Sequence, residues 1–291
     1  MISVIILTLN SIKFIKPCLD SILSQKVDKI EVILVDNGSK DKTISFLKEN
    51  YPQVRLIENK INLGAAKARN QGIEVAHGEW ILTLDCDVVL NKDFFDNINN
   101  ALKDLDPSIG SLQPKILESG KKTIYSAGIF VSFLRRFYDV GKGQRDIGKF
   151  DKTKNIFGAC SAVALYRRNA LNEINQWGYY FDERFFFLFE DVDLSWRLQN
   201  KSYKALFYPS AVAYHHGNSS ETPIKIRQYL CLRNRYYTLI KNDSMKNYIL
   251  PFLFYDFPRL IWFSVINPHA LRAIKDAFVY NKEIRSLGEK P

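Results

Sequence analysis

Two carboxylates stand one residue apart at the end of a hydrophobic run. The run is LTLDCDVVL, residues 82–90, and the acids are Asp85 and Asp87. Side chains two residues apart on a strand share a face, so both acids could converge on one point beyond the strand end. Like charges repel there unless a cation lies between them, and Mg²⁺ or Mn²⁺ with oxygen ligands would serve. The alternative is that one acid caps a turn while the other is solvated.

Further polar residues follow the ends of neighbouring predicted strands. Asp36 ends a strand in VDNGSKD, and the Asn-Gly-Ser after it is typical of a turn. An ordinary turn between strand and helix explains the Asn-Gly pair but not the acid before it. In NLGAAKARN, residues 62–70, glycine and alanines open a helix whose N-terminus could attract phosphate, with Lys67 and Arg69 nearby. Packing of small residues is the alternative for this helix.

A third group of ionisable side chains surrounds the start of one predicted helix, within FFFLFEDVDLSWRLQN, residues 185–200. Glu190, Asp191 and Asp193 lie there together with Arg197. A carboxylate in such a group can act as a general base towards a substrate hydroxyl. The alternative is that Glu190 and Asp191 only complement the helix dipole.

The elements that must position these residues alternate between strands and helices over the first hundred residues. Short β-branched and leucine runs predict buried strands, and apolar residues at three- and four-residue spacing predict helices. This alternation predicts a parallel sheet with helices on both faces, in which ligands bind at the carboxyl ends of the strands. The predicted strands are 3–9, 31–36, 54–59 and 80–85, and the predicted helices are 12–23, a stretch opened by Asp41, 64–76 and 94–105.

The pattern is looser after residue 106. The predicted elements there are strands over 109–117, 123–131 and 203–216, a strand leading into a short helix over 156–168, and a polar, mobile loop over 135–155. No internal repeat or low-complexity segment interrupts them.

The most hydrophobic stretch is YILPFLFYDFPRLIWFSVI, residues 248–266. It has about the length of a membrane span, roughly 20 residues. Pro251, Asp256, Pro258 and Arg259 interrupt it, and the two charges would be costly at the centre of a bilayer. An interfacial amphipathic segment and a packed pair of C-terminal helices both remain open, and a true span is the least favoured of the three.

The composition is that of a globular protein, with 46% hydrophobic residues and a net charge of +10 from 41 basic and 31 acidic residues. This charge favours an anionic partner, but the basic residues are scattered, so a nucleic-acid-binding arm is not indicated. The four cysteines show no CxxC spacing, which favours reduced thiols in the cytoplasm over a zinc or redox motif. The start, MISVIILTLN, has no charged leader, so we expect no signal peptide.

Six motifs together resemble the inverting glycosyltransferases of family 2, in the order and approximate spacing of that family. They are SVIILTLN, EVILVDNGSKD, NLGAAKARN, LDCDVVL, FFFLFEDVDLSWR and YHHGNSS. The later motifs are most similar to bacterial rhamnosyltransferases of polysaccharide assembly, with some likeness to galactofuranosyl transferases. The resemblance implies a GT-A fold, an α/β nucleotide-binding sandwich with a mainly parallel central sheet over 1–220. Residues 1–105 would be its nucleotide-binding half and 106–220 its acceptor-binding half, and 221–291 a helical extension that could associate with a membrane.

The resemblance also implies roles for individual positions. Those that would bind the nucleotide sugar are Thr8, Asn10, Asp36, Asn62, Gly64, Arg69 and Asp85. Among them, Asp36 would contact the base, and Asp85 would lie near the ribose or the sugar. Asp191 would be the catalytic base that takes the proton of the acceptor hydroxyl.

The resemblance implies a metal site as well. Asp87 and His215 would hold Mg²⁺ or Mn²⁺, which would neutralise the leaving diphosphate. A lone pair of histidines is more often structural than ligating, and only the resemblance favours a ligand here. Because the two histidines are adjacent, His216 is the alternative ligand. Cys86 and Glu190 are further candidates for the site.

The activity expected from this resemblance is a metal-dependent, inverting transfer of a hexosyl or deoxyhexosyl group. The donor would be a dTDP- or UDP-linked sugar, with rhamnose favoured by family likeness. The acceptor would be a hydroxyl of a glycan or of a lipid-linked oligosaccharide in cell-surface and cell-wall polysaccharide synthesis. The protein would be cytoplasmic and peripheral on the inner face of the cell membrane, on an anionic lipid surface and without a nucleic-acid partner.

Other classes of protein share some of these features. A nucleotidyltransferase that makes the activated sugar would usually have a glycine-rich, basic phosphate loop after its first strand, whereas this strand runs into TLNSIKFI. A processive polysaccharide synthase would normally add a QxxRW motif and several membrane spans, and a dehydrogenase would show GxGxxG. A non-catalytic relative would usually lose the acid pair or the base. The nucleotidyltransferase and the non-catalytic relative are the alternatives that we carry forward.

Overall fold

The fold is built on one large sheet with helices on both faces and a helical region at the C-terminal end. The computed structural model describes residues 1–27, 29–120, 122–175, 178–217, 222–267 and 269–286 of the chain. The strands are β1 (Ile2–Thr8), β2 (Ile30–Asp36), β3 (Arg55–Glu58), β4 (Trp80–Asp85), β5 (Val88–Leu90), β6 (Ile109–Glu118), β7 (Ile124–Ser126), β8 (Ile129–Val131), β9 (Phe137–Asp139), β10 (Lys154–Ile156), β11 (Val163–Arg167) and β12 (Lys204–His215). The helices are α1 (Ile15–Leu23), α2 (Thr43–Asn50), α3 (Ala65–Glu74), α4 (Phe94–Lys103), α5 (Arg168–Ile174), α6 (Glu190–Asn200), α7 (Ile224–Asn242), α8 (Met245–Pro251), α9 (Phe257–Ile266) and α10 (His269–Ser286).

The first four strands form the parallel half of the sheet, as predicted. β1 pairs in parallel with both β2 and β4, and β2 pairs in parallel with β3. In this register Thr8 lies opposite Asp36, and Leu7 lies opposite Asp85. The carboxyl ends of three neighbouring strands are therefore level, so the polar residues that follow them meet at one edge.

The other half of the sheet is mixed. β11 runs antiparallel between β4 and β6, and β12 runs parallel to β6. β5, β7 and β10 add further antiparallel pairings. The central sheet is thus parallel through the predicted nucleotide-binding half and mixed beyond it.

Two predicted elements in the mixed half are wrong. The stretch predicted as one strand over 123–131 forms two, because Gly128 between β7 and β8 has φ 104°, which favours glycine. The predicted polar loop over 135–155 contains β9 and β10 and buries Phe150. The ring of Phe150 packs with Ile124 and Phe207 in a small core of its own, a contact between distant segments that the local sequence does not reveal.

Two apolar layers enclose the sheet. α1 and α4 bury Leu19 and Phe94 on one face, together with α2. α3 and α5 bury Ile73 and Leu171 on the other face, together with α6. Ile5 of β1 faces the second layer while its neighbours face the first, as expected for a strand buried on both sides.

The C-terminal helices are joined to the sheet domain by a buried polar network. Lys241 of α7 donates a hydrogen bond of 2.7 Å to Asp182, and Asn242 donates one of 2.8 Å to Asp193. The hydroxyl of Tyr280 on α10 also donates to Asp182. The predicted domain boundary at residues 220 and 221 falls outside the described residues and stays a prediction.

One apolar helical stretch stands out in the described part of the chain. Lys246–Ile266 has a mean hydropathy of 1.4 in its most apolar window and is 11% buried there, so its length and composition would permit a membrane span. It consists of α8, a π-helical turn at Phe252–Asp256, and α9. Length and composition alone do not distinguish a span from a helix that lies in the interface.

Candidate active site

The two acids of the LDCDVVL motif are brought together by a turn. β4 ends at Asp85, and Asp87 lies in the turn before β5. The prediction that both share the face of one strand is therefore wrong, although they still converge. β5 pairs with β12 so that Val88 lies opposite His215. As a result, ligand atoms of Asp85, Asp87 and His215 all lie within 4.8 Å of one another.

His215 is the histidine that faces the acids. Its Nε2 lies 3.0 Å from Oδ1 of Asp87, and its buried ring packs edge-on against Tyr125. Burial lowers the pKa of His215, but the hydrogen bond and charge of Asp87 outweigh burial and hold this pKa above its ordinary value. His216 is exposed, and its ring packs against Phe14. Only His215 therefore belongs to the acidic group.

The three side chains fit a divalent cation. Two carboxylates and one imidazole form a donor set that suits Mn²⁺ and also admits Mg²⁺. With a neutral histidine the group carries a charge of about −2, which such an ion would balance. Nε2 of His215 is the ring nitrogen that faces the acids, so it is the atom that would bind such an ion.

Arg69 connects this group to α6. Its buried guanidinium donates hydrogen bonds of 2.6 Å to Glu190 and 2.9 Å to Asp85. α3 can lie close to the sheet because its facing residues are small, and a Cβ on Gly72 would lie only 2.4 Å from Ile5. Glu190 is thus the ion-pair partner that fixes Arg69, and not merely a residue that complements the dipole of α6.

The N-terminus of α3 does not offer its first amides to phosphate. The amides of Ala65 and Ala66 both donate to the carbonyl of Phe186. This approach requires Gly64, whose φ is 88° and where a Cβ would lie 2.6 Å from Phe186. The expectation that this helix end attracts phosphate is therefore wrong, because the aromatic segment before α6 satisfies these donors.

Asp191 lies in the cavity wall at the start of α6. Its Oδ2 accepts a hydrogen bond of 3.2 Å from the amide of Ser161. Burial, and after it the charge of Glu190, raise the pKa of Asp191 to about 7. A carboxyl group with such a pKa is suited to exchange a proton with a substrate near neutral pH. Asp193 is instead fully buried and accepts a hydrogen bond from Arg197.

One cavity of about 640 Å³ opens at the carboxyl edge of the sheet, and its volume is in the range of small-molecule sites. The predicted site residues that line it are Asn10, Asn62, Gly64, Arg69, Asp85, Cys86, Asp87, Glu190, Asp191 and His215. The acidic group and Asp191 therefore face the same space. Thr8, Asp36 and His216 are the predicted residues that do not line it.

Asp36 is buried behind the cavity wall, next to Thr8 in the register of the sheet. Its Oδ2 accepts hydrogen bonds from the amides two and three residues further on, so it organises the turn after β2. Asn37, the next residue, does line the cavity and donates a hydrogen bond of 2.8 Å to Asn62. The part of Asp36 in base binding stays a prediction.

Cys86 lines the cavity as a neutral thiol. Burial raises the pKa of Cys86 to about 12, and its Sγ donates to Oγ of Ser11 at 2.9 Å. A thiol with this pKa is not a nucleophile at neutral pH. Its contribution is packing between the acids of the motif.

Some cavity residues carried no recognisable signal in the sequence. Asp139 and Lys142 come from the predicted loop, and Arg227 comes from α7. Nζ of Lys142 donates to Asp139 at 3.0 Å and lies 4.6 Å from the ring centre of Tyr125. In the sequence, the charged residues of a polar stretch cannot be told from residues that face solvent. Only the fold shows which of them line the cavity. The aromatic stretch before α6 also lines the cavity, through residues 186–189.

Comparison with known proteins agrees with this architecture. The sequence model described as Glycosyl transferase family 2 matches residues 3–174. The poly-beta-1,6-N-acetyl-D-glucosamine synthase of Staphylococcus epidermidis is 24% identical over 217 residues, which are 73% of this chain and 49% of the synthase. The chain therefore spans about half the length of this curated relative.

Two solved structures resemble nearly the whole chain. S. aureus TarS 1–349 in complex with UDP-GlcNAc has a TM-score of 0.60 at 19% identity, over 96% of this chain and 81% of that one. The mannosyltransferase PcManGT from Pyrobaculum calidifontis, in complex with GDP-Man and Mn²⁺, has a TM-score of 0.58 at 18% identity, over 99% and 79%. These likenesses show the fold alone, which is of the expected GT-A type. Because the family match over residues 3–174 covers more than half of the chain, this protein belongs to glycosyl transferase family 2.

Proposed function

We propose that this protein is a metal-dependent, inverting glycosyltransferase that moves a sugar from a nucleoside diphosphate sugar to an acceptor hydroxyl. The observation that carries the proposal is one cavity lined both by the Asp85, Asp87 and His215 group and by Asp191. A sugar transfer needs both parts, because the leaving diphosphate must be neutralised and the acceptor hydroxyl must lose its proton. The family supports the same activity.

The two parts divide the reaction between them. Mn²⁺ or Mg²⁺ held by Asp85, Asp87 and His215 would neutralise the negative charge of the leaving diphosphate. Asp191 would accept the proton of the acceptor hydroxyl, whose oxygen bonds to the anomeric carbon while the bond to the diphosphate breaks. Attack from the side opposite to the diphosphate inverts the anomeric configuration.

The nucleotide would lie along the strand ends, where Asn10, Asn62 and Gly64 line the cavity. These three residues form the rim of the cavity. The amide of Gly64 donates a hydrogen bond of 2.9 Å to Oδ1 of Asn62, which orders the rim. Behind the rim, Oδ1 of Asp36 is buried without a hydrogen-bond partner among the described residues. The imide N–H of uracil or thymine is a donor that would satisfy this oxygen after a movement of the rim, which supports the proposed contact with the base.

The base and the sugar of the donor are the finer part of the proposal. The sequence motifs favour dTDP-rhamnose, whereas the TarS complex contains UDP-GlcNAc and the PcManGT complex contains GDP-Man. We propose a dTDP- or UDP-linked donor, with rhamnose and N-acetylglucosamine as the first sugars to test. A panel of nucleotide sugars with Mn²⁺ will identify the donor, because a ligand that binds only the folded state raises the melting temperature.

The proposed acceptor is a hydroxyl of a glycan or of a lipid-linked oligosaccharide in cell-surface polysaccharide synthesis. The similarity to a polysaccharide synthase supports this class of acceptor. The exposed apolar stretch Lys246–Ile266 and the net charge of +10 support a position on an anionic membrane surface. We place the protein in the cytoplasm, bound peripherally to the inner face of the membrane.

Hydrolysis of the donor without acceptor, followed by transfer, tests the activity. Slow, metal-dependent release of nucleoside diphosphate is the expected result, and Asp191→Asn should slow transfer strongly while donor binding persists. Release of pyrophosphate would indicate a nucleotidyltransferase instead. Donor binding without turnover at any metal concentration would indicate a non-catalytic relative.

A further inference from the structure

The apolar segment 246–266 has its single acid at its centre, and that acid is buried. Asp256 lies in the π-helical turn and is fully buried, whereas α9 has no buried residue. Its carboxylate accepts hydrogen bonds of 2.6 and 2.8 Å from the guanidinium of Arg235 and one of 3.1 Å from the hydroxyl of Tyr248. The segment is therefore fastened at its midpoint to α7 by a bidentate ion pair.

The outer face of this segment is apolar and exposed. Its exposed apolar residues recur at helical spacing: Ile249, Leu250, Leu253, Phe254, Phe257, Ile261, Trp262 and Val265. The opposite face, with Tyr248, Leu260 and Phe263, packs against α7 and α10. Lys246 and Arg259 lie in the same segment, and an apolar stripe with nearby cations suits an anionic bilayer surface.

The ion pair between Asp256 and Arg235 limits how the segment can lie against a bilayer. A span would place Asp256 near the middle of a hydrocarbon layer about 30 Å thick and would take Arg235 with it. Arg235 belongs to α7, where the neighbouring Asn234 donates to the backbone carbonyls of Phe185 and Phe187 beneath the cavity wall. A span would thus draw the polar backbone of that wall towards lipid, which is costly. A segment that lies in the plane of the interface avoids this cost.

Arg235 also holds a second element, the hairpin in which β8 and β9 pair antiparallel. Its guanidinium donates to the carbonyls of Leu134 and Arg135, which lie in the turn between β8 and β9. Arg135 adds an ion pair of 2.5 Å with Asp243, just before α8. Both strands of the β8–β9 hairpin contribute lining residues to the cavity, and Phe133 in its turn is 74% exposed. One buried guanidinium therefore joins the apolar segment to a wall of the active site.

We propose that segment 246–266 lies in the plane of an anionic bilayer and that Arg235 couples this docking to the β8–β9 hairpin. Arg235 is a positioning residue, since it contacts neither the acidic group nor Asp191. It orients the hairpin so that a lipid-linked acceptor meets Asp191 at the bilayer surface, with Phe133 entering the interface. The nature of the acceptor rests on the proposed function, whereas the docking and the coupling do not.

Hydrogen exchange of the full chain tests the coupling without any need for activity. With phosphatidylglycerol vesicles, we expect slower exchange both in 246–266 and in 132–139. Slower exchange in 246–266 alone, with 132–139 unchanged, would overturn the coupling. Vesicles of pure phosphatidylcholine should give weaker protection in both regions. Alkaline carbonate should release the protein from the vesicles, and retention would overturn the in-plane arrangement.

Variants separate docking from coupling. Trp262→Ser should weaken binding to these vesicles by about tenfold or more, because a large apolar side chain no longer enters the interface. Ile147→Ser, at an apolar residue outside the segment that is even more exposed than Trp262, should not weaken binding. Arg235→Lys keeps the charge opposite Asp256 but lacks the planar donors for the hairpin. It should bind vesicles normally and lose the protection of 132–139, and full protection would contradict the proposal.

The experiments can distinguish a failure of the docking and coupling proposal from a failure of the proposed function. If Arg235→Lys does not fold, unchanged exchange of 132–139 in the unaltered chain with vesicles would still overturn the coupling. If vesicles protect both regions but no nucleotide sugar is hydrolysed, the docking stands and the proposed function fails.

Discussion

Arg69 and Glu190 form a buried ion pair across the active site, with Nη1 of Arg69 2.6 Å from Oε1 of Glu190. The pair joins α3 to α6, the helix that carries Asp191. Because Arg69 also donates to Asp85 at 2.9 Å, one guanidinium contacts both the end of β4 and the helix of the proposed base. One side chain therefore links the acidic group to the helix of the proposed base.

Glu190→Gln should lower stability and slow transfer moderately. The variant leaves the buried guanidinium of Arg69 with a neutral acceptor in place of an acid, so we expect the free energy of unfolding in urea to fall by about 1.5–3 kcal/mol. The matched control is Lys16→Gln, which breaks an exposed pair with Asp20 and should cost at most about 1 kcal/mol. Equal losses in the two variants would contradict the importance of the buried pair.

Asp191→Asn should bind the donor almost normally and transfer the sugar about 10²–10⁴-fold more slowly, because it keeps the shape and removes the base. Donor calorimetry and single-turnover transfer measure the two effects. Asp193→Asn should act mainly through stability, since Asp193 is buried against Arg197. A normal rate in Asp191→Asn, or a large loss confined to Glu190→Gln with donor binding intact, would reassign the base.

The rate of transfer should fall on the acid side of neutrality. The pKa of Asp191 is raised to about 7, so the carboxylate that accepts the proton is present above that pH and is lost below it. We expect kcat/KM to fall about tenfold per pH unit below this pKa, and Asp191→Asn to lack this limb. The same raised pKa favours the folded state below about pH 4, and this contribution disappears as the pH rises through 7. A kcat/KM that stays constant between pH 5 and 8 would exclude Asp191 as the catalytic base.

The two adjacent histidines provide a matched pair of variants that tests the predicted metal site. His215→Gln should weaken binding of Mn²⁺, whereas His216→Gln should leave it unchanged, because only His215 joins Asp85 and Asp87. Titration of the melting temperature with Mn²⁺ measures this without activity. Asp87→Ala should abolish transfer without unfolding the protein, and excess chelator should do the same to the unaltered chain. Full activity in chelator would contradict the metal site.

Truncation after residue 243 should destabilise the remaining chain as well as weaken membrane binding. It removes Asp256, the acid paired with Arg235, and the bond from Tyr280 to Asp182, and it uncovers Leu232 and Tyr236 of α7, which pack against α10. Exposure of this apolar surface to water destabilises the folded state, so the melting temperature should fall clearly. Thermal denaturation measures this loss, and melting like that of the full chain would show that the extension is independent. A truncated chain that folds and binds anionic vesicles unchanged would also contradict the proposed membrane segment.

Much of the parallel half could be predicted from the sequence. Three short runs are apolar on both faces, which is typical of strands buried on both sides. These runs, SVIILTL, EVILVD and WILTLD, form β1, β2 and β4. The carboxyl ends of parallel strands meet at one edge of the sheet. The sequence alone therefore predicts that the residues after these strands lie together. Asp85 and Asp87 were found in this way, whereas Asn10, Asn62 and the role of Asp191 came from the family resemblance.

Only the tertiary structure decided the rest, because it depends on contacts between distant segments. His215 and His216 are indistinguishable in the sequence, and the pairing of Val88 with His215 selects one, since neighbours on a strand face opposite sides. The amides at the start of α3 look free for phosphate until Phe186 is placed on them. The same holds for Arg235, whose partners lie about 20 and 100 residues away along the chain and become neighbours only when the chain folds.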